Sequence, residues 1–482
     1  MQEQMSSNAS IYWIRQDLRL HDNPALIASV KNGLIIPIYI LDDVNSKNYK
    51  IGQAGRVWLH QSLKELDKEF QNKLIIAKGD PEEILVKICQ LESINKIYWN
   101  RVYEPWVISR DKKIKTNLKK LEIETHSFNS SLLWEPWDIL KDDKTNYKVF
   151  TPYFRRGCLN ATEPRRPLEK PKNINYFEVK NFKSLKINEL NLLPKHNWKN
   201  KIMESWQIGE KAAITRLNNF VDTELDGYKE GRNFPYKKNV SRLSPHLHWG
   251  EISPNTVWHT IKDLNQMGIK HQQDTDIFLS EIGWREFSNY LLYFYPELPK
   301  KNLQTKFDNF PWINNTEYLL AWKTGQTGYP IVDAGMRELW STGYMHNRLR
   351  MIVGSFLVKN LLTHWHEGEK WFWDCLVDAD LASNSASWQW VAGCGADAAP
   401  YFRIFNPVTQ GVKFDTNGEY TRKYVPELEL VPNKYLFNPW EAPDDILKKA
   451  GVTLGKNYPK PIVDIKSSRQ HALDAFAKTK TP

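Results

Sequence analysis

The sequence predicts a doubly wound α/β domain with a parallel sheet, followed by an all-α domain. Its first third alternates short apolar runs rich in β-branched residues with amphipathic stretches, the pattern of parallel strands joined by crossover helices. Beyond about residue 202 the apolar period becomes helical and stays so. At 482 residues the chain is also too long for one average domain.

The elements of the α/β part follow from the length and spacing of its apolar runs. Parallel strands are buried on both faces, so they are expected to be short and continuously apolar. The predicted strands are 11–14, 34–41, 74–77 and 96–99. The predicted crossover helices between them are 25–32, 55–71 and 81–92. This part contains no GxGxxG, so a dinucleotide site of that type is not predicted.

The strand and helix pattern fails between residues 137 and 201. This stretch is rich in Lys, Asn and Pro, which predicts a long connection over the surface. The predicted domains are therefore 1–136 for the α/β part, 137–201 for the linker and 202–482 for the helical part. The predicted helices of that last part are 212–225, 254–267, 277–293, 331–341, 351–365 and 368–376.

Composition and charge narrow the function classes. The formal net charge of +10 attracts polyanions and raises the expectation of a nucleic-acid partner. No apolar run approaches the roughly 20 residues that span a bilayer, and the start lacks the layout of a secretory signal. A cytoplasmic protein without a membrane anchor is expected. The four cysteines lie far apart with no CxxC pair, so neither a zinc site nor a disulfide framework is predicted.

Two groups of residues suggest a binding site. Ser244 stands directly before Pro245, the order expected of a helix N-cap and its first helical residue. A helix start with serine hydroxyls and Arg242 is suited to phosphate, although an ordinary capped helix explains the same residues.

The second group begins at Asp378 and Asp380 and continues through Asn384 to Trp388 and Trp390. Carboxylates beside an amide and indoles can hydrogen-bond a ribose and a polar ring system while excluding water. No further carboxylate or His stands at ligand spacing, so no metal site is predicted. The small residues that follow allow close backbone approach, or a tight helix junction.

Seven segments together resemble the photolyase/cryptochrome family. They are IYWIRQDLRLHDNPAL near the start, then SRLSPHLHWG, FLSEIGWREF, TGYPIVDAGMREL, GYMHNRLRM, DADLASNSASWQW and ADAAPYFRIFNPVTQGVKFD. They occur in a single order from about residue 11 to about residue 430. The resemblance implies an N-terminal α/β antenna domain, a long linker and a helical FAD-binding catalytic domain.

The same resemblance implies which residues hold FAD in a U shape. The matching residues are Tyr228, Val240, Ser241, Arg242, Leu243, Ser244, Phe278, Arg350, Asp378, Asp380 and Asn384. Asn384 is expected to face the flavin N5, where an amide favours the reduced, anionic flavin and where plant-type cryptochromes carry Asp.

The resemblance also implies a lesion pocket, DNA contacts and an electron-transfer chain. The residues matching the lesion pocket are Glu281, Trp284, Asn347, Met351 and Trp390. Those matching the electron-transfer triad between flavin and surface are Trp388, Trp365 and Trp312. Those matching positions that grip DNA near the lesion are Arg232, Arg285, Arg348, Arg403, Gln410 and Lys413.

The implied reaction is light-driven splitting of a pyrimidine dimer in UV-damaged DNA by an electron from reduced FAD. It has no net redox change, so the implied enzyme is a lyase. Animal-type relatives that repair the (6-4) photoproduct use two His residues four apart, where this chain has Asn347 and Met351. Neither is a usable acid or base, and His346 would point about 100° away along a helix. The cyclobutane dimer is therefore the expected lesion.

The expected antenna chromophore is a folate. The segment Tyr103-Glu104-Pro105-Trp106-Val107 is similar to the class III branch of the family, in which a Trp stacks on 5,10-methenyltetrahydrofolate. Trp106 is the matching residue.

Two other functions stay open at this point. One is a cryptochrome that signals blue light through the flavin redox state, although only some fifty residues follow residue 430. The other is a flavoenzyme that does not use light, for which the sequence offers no substrate-reduction site. A monomer is expected, as is common in the family.

Overall fold

The computed structural model describes residues 8–195, 197–398 and 403–479. The chain divides into two compact units, named here the sheet unit (1–226 with 241–296) and the helical unit (227–240 with 297–482). The domain boundaries predicted at residues 136 and 201 stay a prediction. Residues 399–402, part of the last family segment, lie outside the described residues.

The sheet unit contains five parallel strands in the order β3-β2-β1-β4-β5. The strands are β1 Ala9–Ile14, β2 Leu34–Leu41, β3 Ile75–Lys78, β4 Lys96–Asn100 and β5 Glu124–Phe128. Central β1 pairs with both β2 and β4, and the strand order reverses between β1 and β4, so the doubly wound parallel sheet is confirmed. The prediction missed β5, because this edge strand is polar and not fully buried.

Four helices follow the first four strands. They are α1 Pro24–Asn32, α2 Gln53–Glu69, α3 Pro81–Glu92 and α4 Pro105–Lys120. The side chains of Asn23 and Asp80 accept backbone N–H groups in the first turns of α1 and α3, where a proline occupies the start of each helix. The prediction found α1, α2 and α3 and missed α4. The strand residues of one core cluster that have at most 1% exposure are Ala9, Ile11, Trp13, Ile36, Ile38, Ile97 and Trp99.

The sheet unit also contains helices that the sequence placed in the later, helical part. These are α5 Glu210–Asn219, α6 Pro254–Gln266 and α7 Gln272–Phe294, with the shorter helix Ser244–His248. Two further short helices, Phe150–Pro152 and Trp198–Glu204, begin in the stretch 137–201 that the sequence predicted as a linker. Turns of π-helix occupy Tyr153–Gly157 and Phe220–Glu224.

The prediction that Ser244 caps a helix is wrong. Ser244 is the first residue of its helix, and the N-cap is Leu243, which makes no side-chain cap bond. The physical reason lies in the backbone: Arg242 takes a left-handed φ of 51°, and Leu243 is already in the right-handed helical region. The chain therefore enters the helix one residue earlier than the Ser-Pro pair suggests.

The helical unit contains seven longer helices among its described residues. They are α8 Thr316–Thr324, α9 Pro330–Thr342, α10 Asn347–Ser355, α11 Trp365–Cys375, α12 Leu381–Ala392, α13 Pro407–Phe414 and α14 Ile465–Lys478. The shorter helices are Tyr228–Gly231, Glu419–Tyr424, Asn433–Leu436 and Asp444–Lys449. Fully buried core side chains include Trp322, Leu349, Val353, Leu357 and Trp365.

The single helix predicted at 351–365 is wrong. Helix α10 ends at Ser355, a turn of π-helix covers Phe356–Asn360, and α11 starts only at Trp365. Leu362 adopts a left-handed φ of 50°, which breaks the helix while Leu361 and Leu362 stay buried. The apolar pattern therefore continues through a segment whose backbone is not helical.

Within the described ranges, no helix is both long and apolar enough to cross a bilayer. The same ranges contain no group of three His, Cys, Asp or Glu placed to hold a metal ion. The four cysteines are buried and free.

Candidate functional site

Trp106 lies at the carboxyl end of the parallel sheet, where proteins of this topology bind ligands. The guanidinium of Arg110 lies 5.2 Å from the centre of its ring, and Asp42, just after β2, holds Arg110 at 2.8 Å. Buried Arg15, just after β1, pairs with Asp111 at 2.5 Å, while its Nε and Nη2 have no partner among the described residues. A ring beside a guanidinium group that carboxylates hold in place is suited to a flat, acidic ligand.

Helix α7 carries three predicted site residues on one face, because positions 281, 284 and 285 are three and four residues apart. Trp284 stacks on Phe150 with ring centroids 3.8 Å apart and planes at 10°. Arg285 donates from Nη1 to the carbonyl of Ser131 at 2.7 Å. Its guanidinium is thus bonded within the sheet unit, and its DNA contact stays a prediction.

Glu286, next along α7, is a buried carboxyl group that the sequence did not single out. Its Oε2 accepts the backbone N–H groups of Leu133 at 2.9 Å and Trp134 at 3.4 Å. Burial raises the pKa of Glu286 to about 7, in spite of these bonds and of neighbouring Arg285. The group fixes α7 to the segment that follows β5.

The segment 241–244 is a tight turn with an anchored guanidinium. Arg242, at φ 51°, places its guanidinium 4.1 Å from the ring centre of Trp206. The Leu243 backbone N–H lies 3.4 Å from Ser241 Oγ. A turn that holds hydroxyl groups and a cation in one conformation is suited to an anionic ligand. Buried Phe278 of α7 lies in the same unit and contacts the ring of Phe220, with centroids 4.7 Å apart.

In the helical unit, Arg350 and Asp378 form a two-bond ion pair. Arg350 Nη2 lies 2.8 Å from Asp378 Oδ2 and 3.1 Å from Oδ1, and Arg350 Nε donates to the carbonyl of Met345 at 2.8 Å. Burial works against the charge on Arg350, but Asp378 outweighs it and raises the pKa. Asp380 is the N-cap of α12, because its Oδ1 accepts the Ser383 backbone N–H at 2.7 Å.

Asn384 on α12 is 8% exposed, and its amide has a defined orientation. Its Nδ2 donates to the backbone carbonyl of Glu369 at 3.1 Å, so Oδ1 is the atom left to accept a bond from a ligand. The Glu369 carboxyl accepts the hydroxyl of Ser385 at 2.6 Å, and burial raises its pKa to about 7. The sequence did not identify Glu369, because only the packing of α11 on α12 brings it beneath Asn384.

Asn347 and Met351 lie one turn apart on α10, on one face of the helix. His346 is the N-cap of α10 and not a helical residue as the sequence suggested; its Nδ1 accepts the Arg348 backbone N–H at 3.1 Å. Burial, together with Arg348 and Arg350, lowers the pKa of His346 to about 3. The imidazole is therefore neutral near pH 7 and offers no acid beside Asn347.

Three of the arginines predicted to contact DNA lie in the helical unit, where the charges of two of them lower the pKa of the third. Burial lowers the pKa of Arg348, and the charges of Arg232 and Arg403 lower it further. Arg348 donates to Asn233, and its guanidinium lies 4.2 Å from the ring centre of Phe414. Two other residues predicted to contact DNA are exposed Lys413 and half-buried Gln410. Two residues predicted to hold FAD are half-buried Val240 and buried Tyr228, whose ring lies 5.5 Å from the Arg232 guanidinium.

Trp388 packs against α11. An added Cβ at Gly368 would lie 2.1 Å from its ring, and the ring of Phe372 lies 5.0 Å away. Trp365 is the first residue of α11 and is fully buried. The ring of His364 contacts the rings of two of these tryptophans. Its centre lies 5.6 Å from that of Trp365 and 5.0 Å from that of half-buried Trp312.

Trp390 follows on α12, where its Nε1 donates to the carbonyl of Asp397 at 3.1 Å. The structure thus places the predicted tryptophans on α12, at the start of α11 and just before α8.

Two family models match most of the chain. The family model "DNA photolyase" matches residues 10–172, and "FAD binding domain of DNA photolyase" matches residues 278–478. A deoxyribodipyrimidine photo-lyase of Agrobacterium fabrum is 47% identical over 477 residues, with 98% of each chain covered. The chain belongs to the DNA photolyase family.

A relative of lower identity and a solved structure are also similar to this chain. Cryptochrome-1 of Arabidopsis thaliana is 35% identical over 489 residues, which are 98% of this chain and 71% of that protein. A bacterial class III photolyase from Agrobacterium tumefaciens has a structure similar at a TM-score of 0.94, with 47% identity and 98% of each chain covered. The predicted fold class and family are confirmed.

Residues 278–478 form an FAD-binding domain of the photolyase type. The side chains present fit a flavin, because Asn384 keeps an amide oxygen for a ring N–H and Asp378 is fixed by Arg350. Asn302 and His364 were not predicted. The sequence carried no signal for them, because only the folded chain brings Asn302 to the Trp365 indole and the His364 ring to Trp312.

Proposed function

We propose that this protein repairs cyclobutane pyrimidine dimers in DNA under blue light. The observation that carries the proposal is the orientation of Asn384, whose amide oxygen accepts the N5–H that only a reduced flavin offers. The higher identity to a photo-lyase than to a cryptochrome supports it as well.

FAD is held in this proposal by the residues that match the family's FAD site. They are Tyr228, Val240, Ser241, Arg242, Leu243, Ser244, Phe278, Arg350, Asp378, Asp380 and Asn384. When bound and reduced, FAD supplies the electron that splits the dimer after it absorbs light. The protein orients the flavin through Asn384 and the Asp378 carboxylate, and Arg350 keeps that carboxylate in place.

The lesion lies outside the DNA stack, as in photolyases in general, and contacts Glu281, Trp284, Asn347, Met351 and Trp390. Glu281 forms a hydrogen bond to the damaged base and stabilises the charge that develops there. The face of α10 offers an amide and a thioether, and neutral His346 adds no acid. This surface suits the cyclobutane dimer, which needs no proton shuttle, and not the (6-4) photoproduct.

The phosphates near the lesion contact Arg232, Arg348, Arg403, Gln410 and Lys413. Arg285 is not among these phosphate contacts, because its guanidinium donates to the Ser131 carbonyl and supports α7. Trp388, Trp365 and Trp312 carry electrons that return the flavin to its reduced state.

The antenna is 5,10-methenyltetrahydrofolate stacked on Trp106. The guanidinium of Arg110 beside that ring, and the donors of Arg15 without a partner among the described residues, support an acidic aromatic ligand at this edge of the sheet. We further propose that the protein is a monomer and acts in the cytoplasm.

The test is repair by purified protein with chemically reduced FAD, under blue light and in the dark, on DNA carrying one defined lesion. We expect light-dependent repair of the cyclobutane dimer and none of the (6-4) photoproduct. A cryptochrome would show a light-driven flavin change without repair, and efficient (6-4) repair alone would refute the lesion assignment.

A further inference from the structure

Trp365 has an indole N–H with one defined acceptor. Nε1 donates to Asn302 Oδ1 at 2.9 Å, and the tryptophan is fully buried. Asn302 donates in turn from Nδ2 to Asp308 Oδ1 at 2.8 Å. The second bond orients the amide, so its oxygen and not its nitrogen faces the indole.

Two imidazole rings flank the same tryptophan. The ring of His366 lies 3.8 Å from Trp365, and the ring of His364 lies 5.6 Å from it with planes at 26°. His364 Nδ1 accepts the His366 backbone N–H at 3.1 Å, and His366 Nε2 lies 3.1 Å from the carbonyl of Pro299. These bonds fit neutral rings. Burial lowers the pKa of His364 to about 4, and burial also lowers the pKa of His366.

An indole that has lost an electron becomes strongly acidic at its N–H. A carboxylate or a water molecule at that position would take the proton and trap the radical there. An amide oxygen takes no proton near pH 7, and Trp365 has no surface exposed to bulk water. Neutral neighbouring rings also add no positive charge that would oppose oxidation of Trp365.

We propose that Asn302 is a positioning residue for electron transfer through Trp365, because it keeps the indole proton in place while that residue is oxidised. One electron then passes from Trp312 to oxidised Trp365, which regains its neutral form with its proton attached. Trp312, now oxidised by one electron, lies at the half-exposed end and gives its indole proton to water. An external thiol supplies the electron, and water the proton, that restore it. The inference rests on the triad of the proposed function.

The test exchanges the two groups of the Asn302–Asp308 pair without changing the charge. The variant Asn302→Asp with Asp308→Asn places a carboxylate against the Trp365 indole and an amide behind it. Asp308→Asn alone is the matched control, because it keeps the Asn302 amide and its donor bond. Both variants are made in the full protein and in a Trp312→Phe background, where Trp365 is the last oxidised residue.

Transient absorption after a blue flash distinguishes protonated from deprotonated tryptophan radicals. We expect the Trp312→Phe protein and its Asp308→Asn form to show a protonated radical at Trp365. The exchanged pair should speed loss of that proton by roughly a hundredfold, the lower end of what a positioned base achieves. With Trp312 present, the exchanged pair should also decrease the yield of the Trp312 radical. Equal spectra and kinetics for the exchanged pair and Asp308→Asn would overturn the proposal.

Two further measurements separate this inference from the proposed function. The indole N–H resonance of Trp365, recorded in the dark, should shift in the exchanged pair and not in Asp308→Asn; an unchanged resonance would mean that Asn302 is not its acceptor. Repair by chemically reduced wild-type protein tests the proposed function alone, because it needs no electron from Trp365. If the protein fails to repair DNA but shows the expected radical spectra, the proposed repair function is refuted and the role of Asn302 stands.

Discussion

Glu281 and Asp276 carry the same charge on α7, five residues apart, in different surroundings. Glu281 is half-buried on the face that also carries Trp284, while Asp276 is exposed. Neutral variants of the two residues therefore distinguish the loss of a specific contact with the damaged base from the general effect of removing one negative charge.

Glu281→Gln is expected to lower the quantum yield of repair about fivefold, which corresponds to about 1 kcal/mol, the worth of one hydrogen bond. FAD content should stay unchanged, because the group acts on charge that develops in the lesion. Repair yield per absorbed photon measures the effect, with Asp276→Asn as the control. Equal yields in Glu281→Gln and wild type would remove this role.

Asn384 shows what sequence could and could not predict at this scale. The family segment DADLASNSASWQW identified the residue. It could not predict which amide atom faces the ligand, because that depends on the carbonyl of Glu369 on another helix. The same holds for Asn302, which only the folded chain brings to Trp365.

The contact between α11 and α12 depends on one small residue. Gly368 on α11 lies against the ring of Trp388, and no other residue type leaves that space free. Gly354 on α10 approaches the same ring more loosely, with Val391 3.3 Å and the Trp388 ring 3.6 Å from an added Cβ.

Gly368→Ala is expected to destabilise the protein by about 2 kcal/mol, because overpacking outweighs the gain in helix propensity. Displacement of Trp388 should also slow photoreduction of the flavin. Thermal unfolding and photoreduction rates measure the two effects, and Gly354→Ala, which adds the same methyl group, should lose less. A more stable Gly368→Ala protein would show that α11 does not pack as described.

The carboxyl group of Glu286 makes the stability of the sheet unit depend on pH. Its pKa rises from 4.5 to about 7 in the fold, so the folded state binds the proton more tightly than the unfolded chain. Its stabilising contribution is fully present below about pH 4.5 and is lost as the pH rises through about 7, a change of about 3 kcal/mol.

Glu286→Gln should remove this dependence. The difference in the free energy of unfolding between wild type and variant should decrease by about 3 kcal/mol from about pH 4.5 to about pH 7.5. Urea unfolding at several pH values measures it, and Glu83→Gln, at an exposed site, should follow the wild type. A difference that does not change with pH would contradict a raised pKa.

Strands and helices were predictable where pattern and backbone agree. Residues 34–41 and 81–92 match β2 and α3 to the residue, because an apolar run or an Asp-Pro start marks each. The helix predicted at 351–365 was wrong, because burial continues through Leu361 and Leu362 after the helix has ended. Periodicity records which side chains are buried and not where the backbone leaves the helix.

The excess of basic residues over the whole molecule leads to a prediction about DNA affinity. Binding should weaken with salt, because each Lys or Arg on a phosphate releases counterions. Four charged contacts, namely those of Arg232, Arg348, Arg403 and Lys413, imply a loss of roughly a hundredfold between about 50 and about 200 mM salt for duplex DNA.

Two variants make this prediction specific. Lys413→Ala should lower the slope of log affinity against log salt by about 0.9. Arg285→Gln should leave the slope unchanged, because that guanidinium bonds Ser131. Titrations of dimer-containing DNA at four salt concentrations measure both, and an affinity that ignores salt would contradict the contacts.

The sheet unit is discontinuous in the chain, and this has a consequence for biosynthesis. Its first 226 residues leave the ribosome before α6 and α7, and Glu286 of α7 bonds the backbone of Leu133 and Trp134. At about 5–20 residues per second, the early segment waits several seconds for its last helices. The nascent chain is therefore expected to expose apolar surface until residue 296 has emerged, and to need a chaperone at that stage of translation.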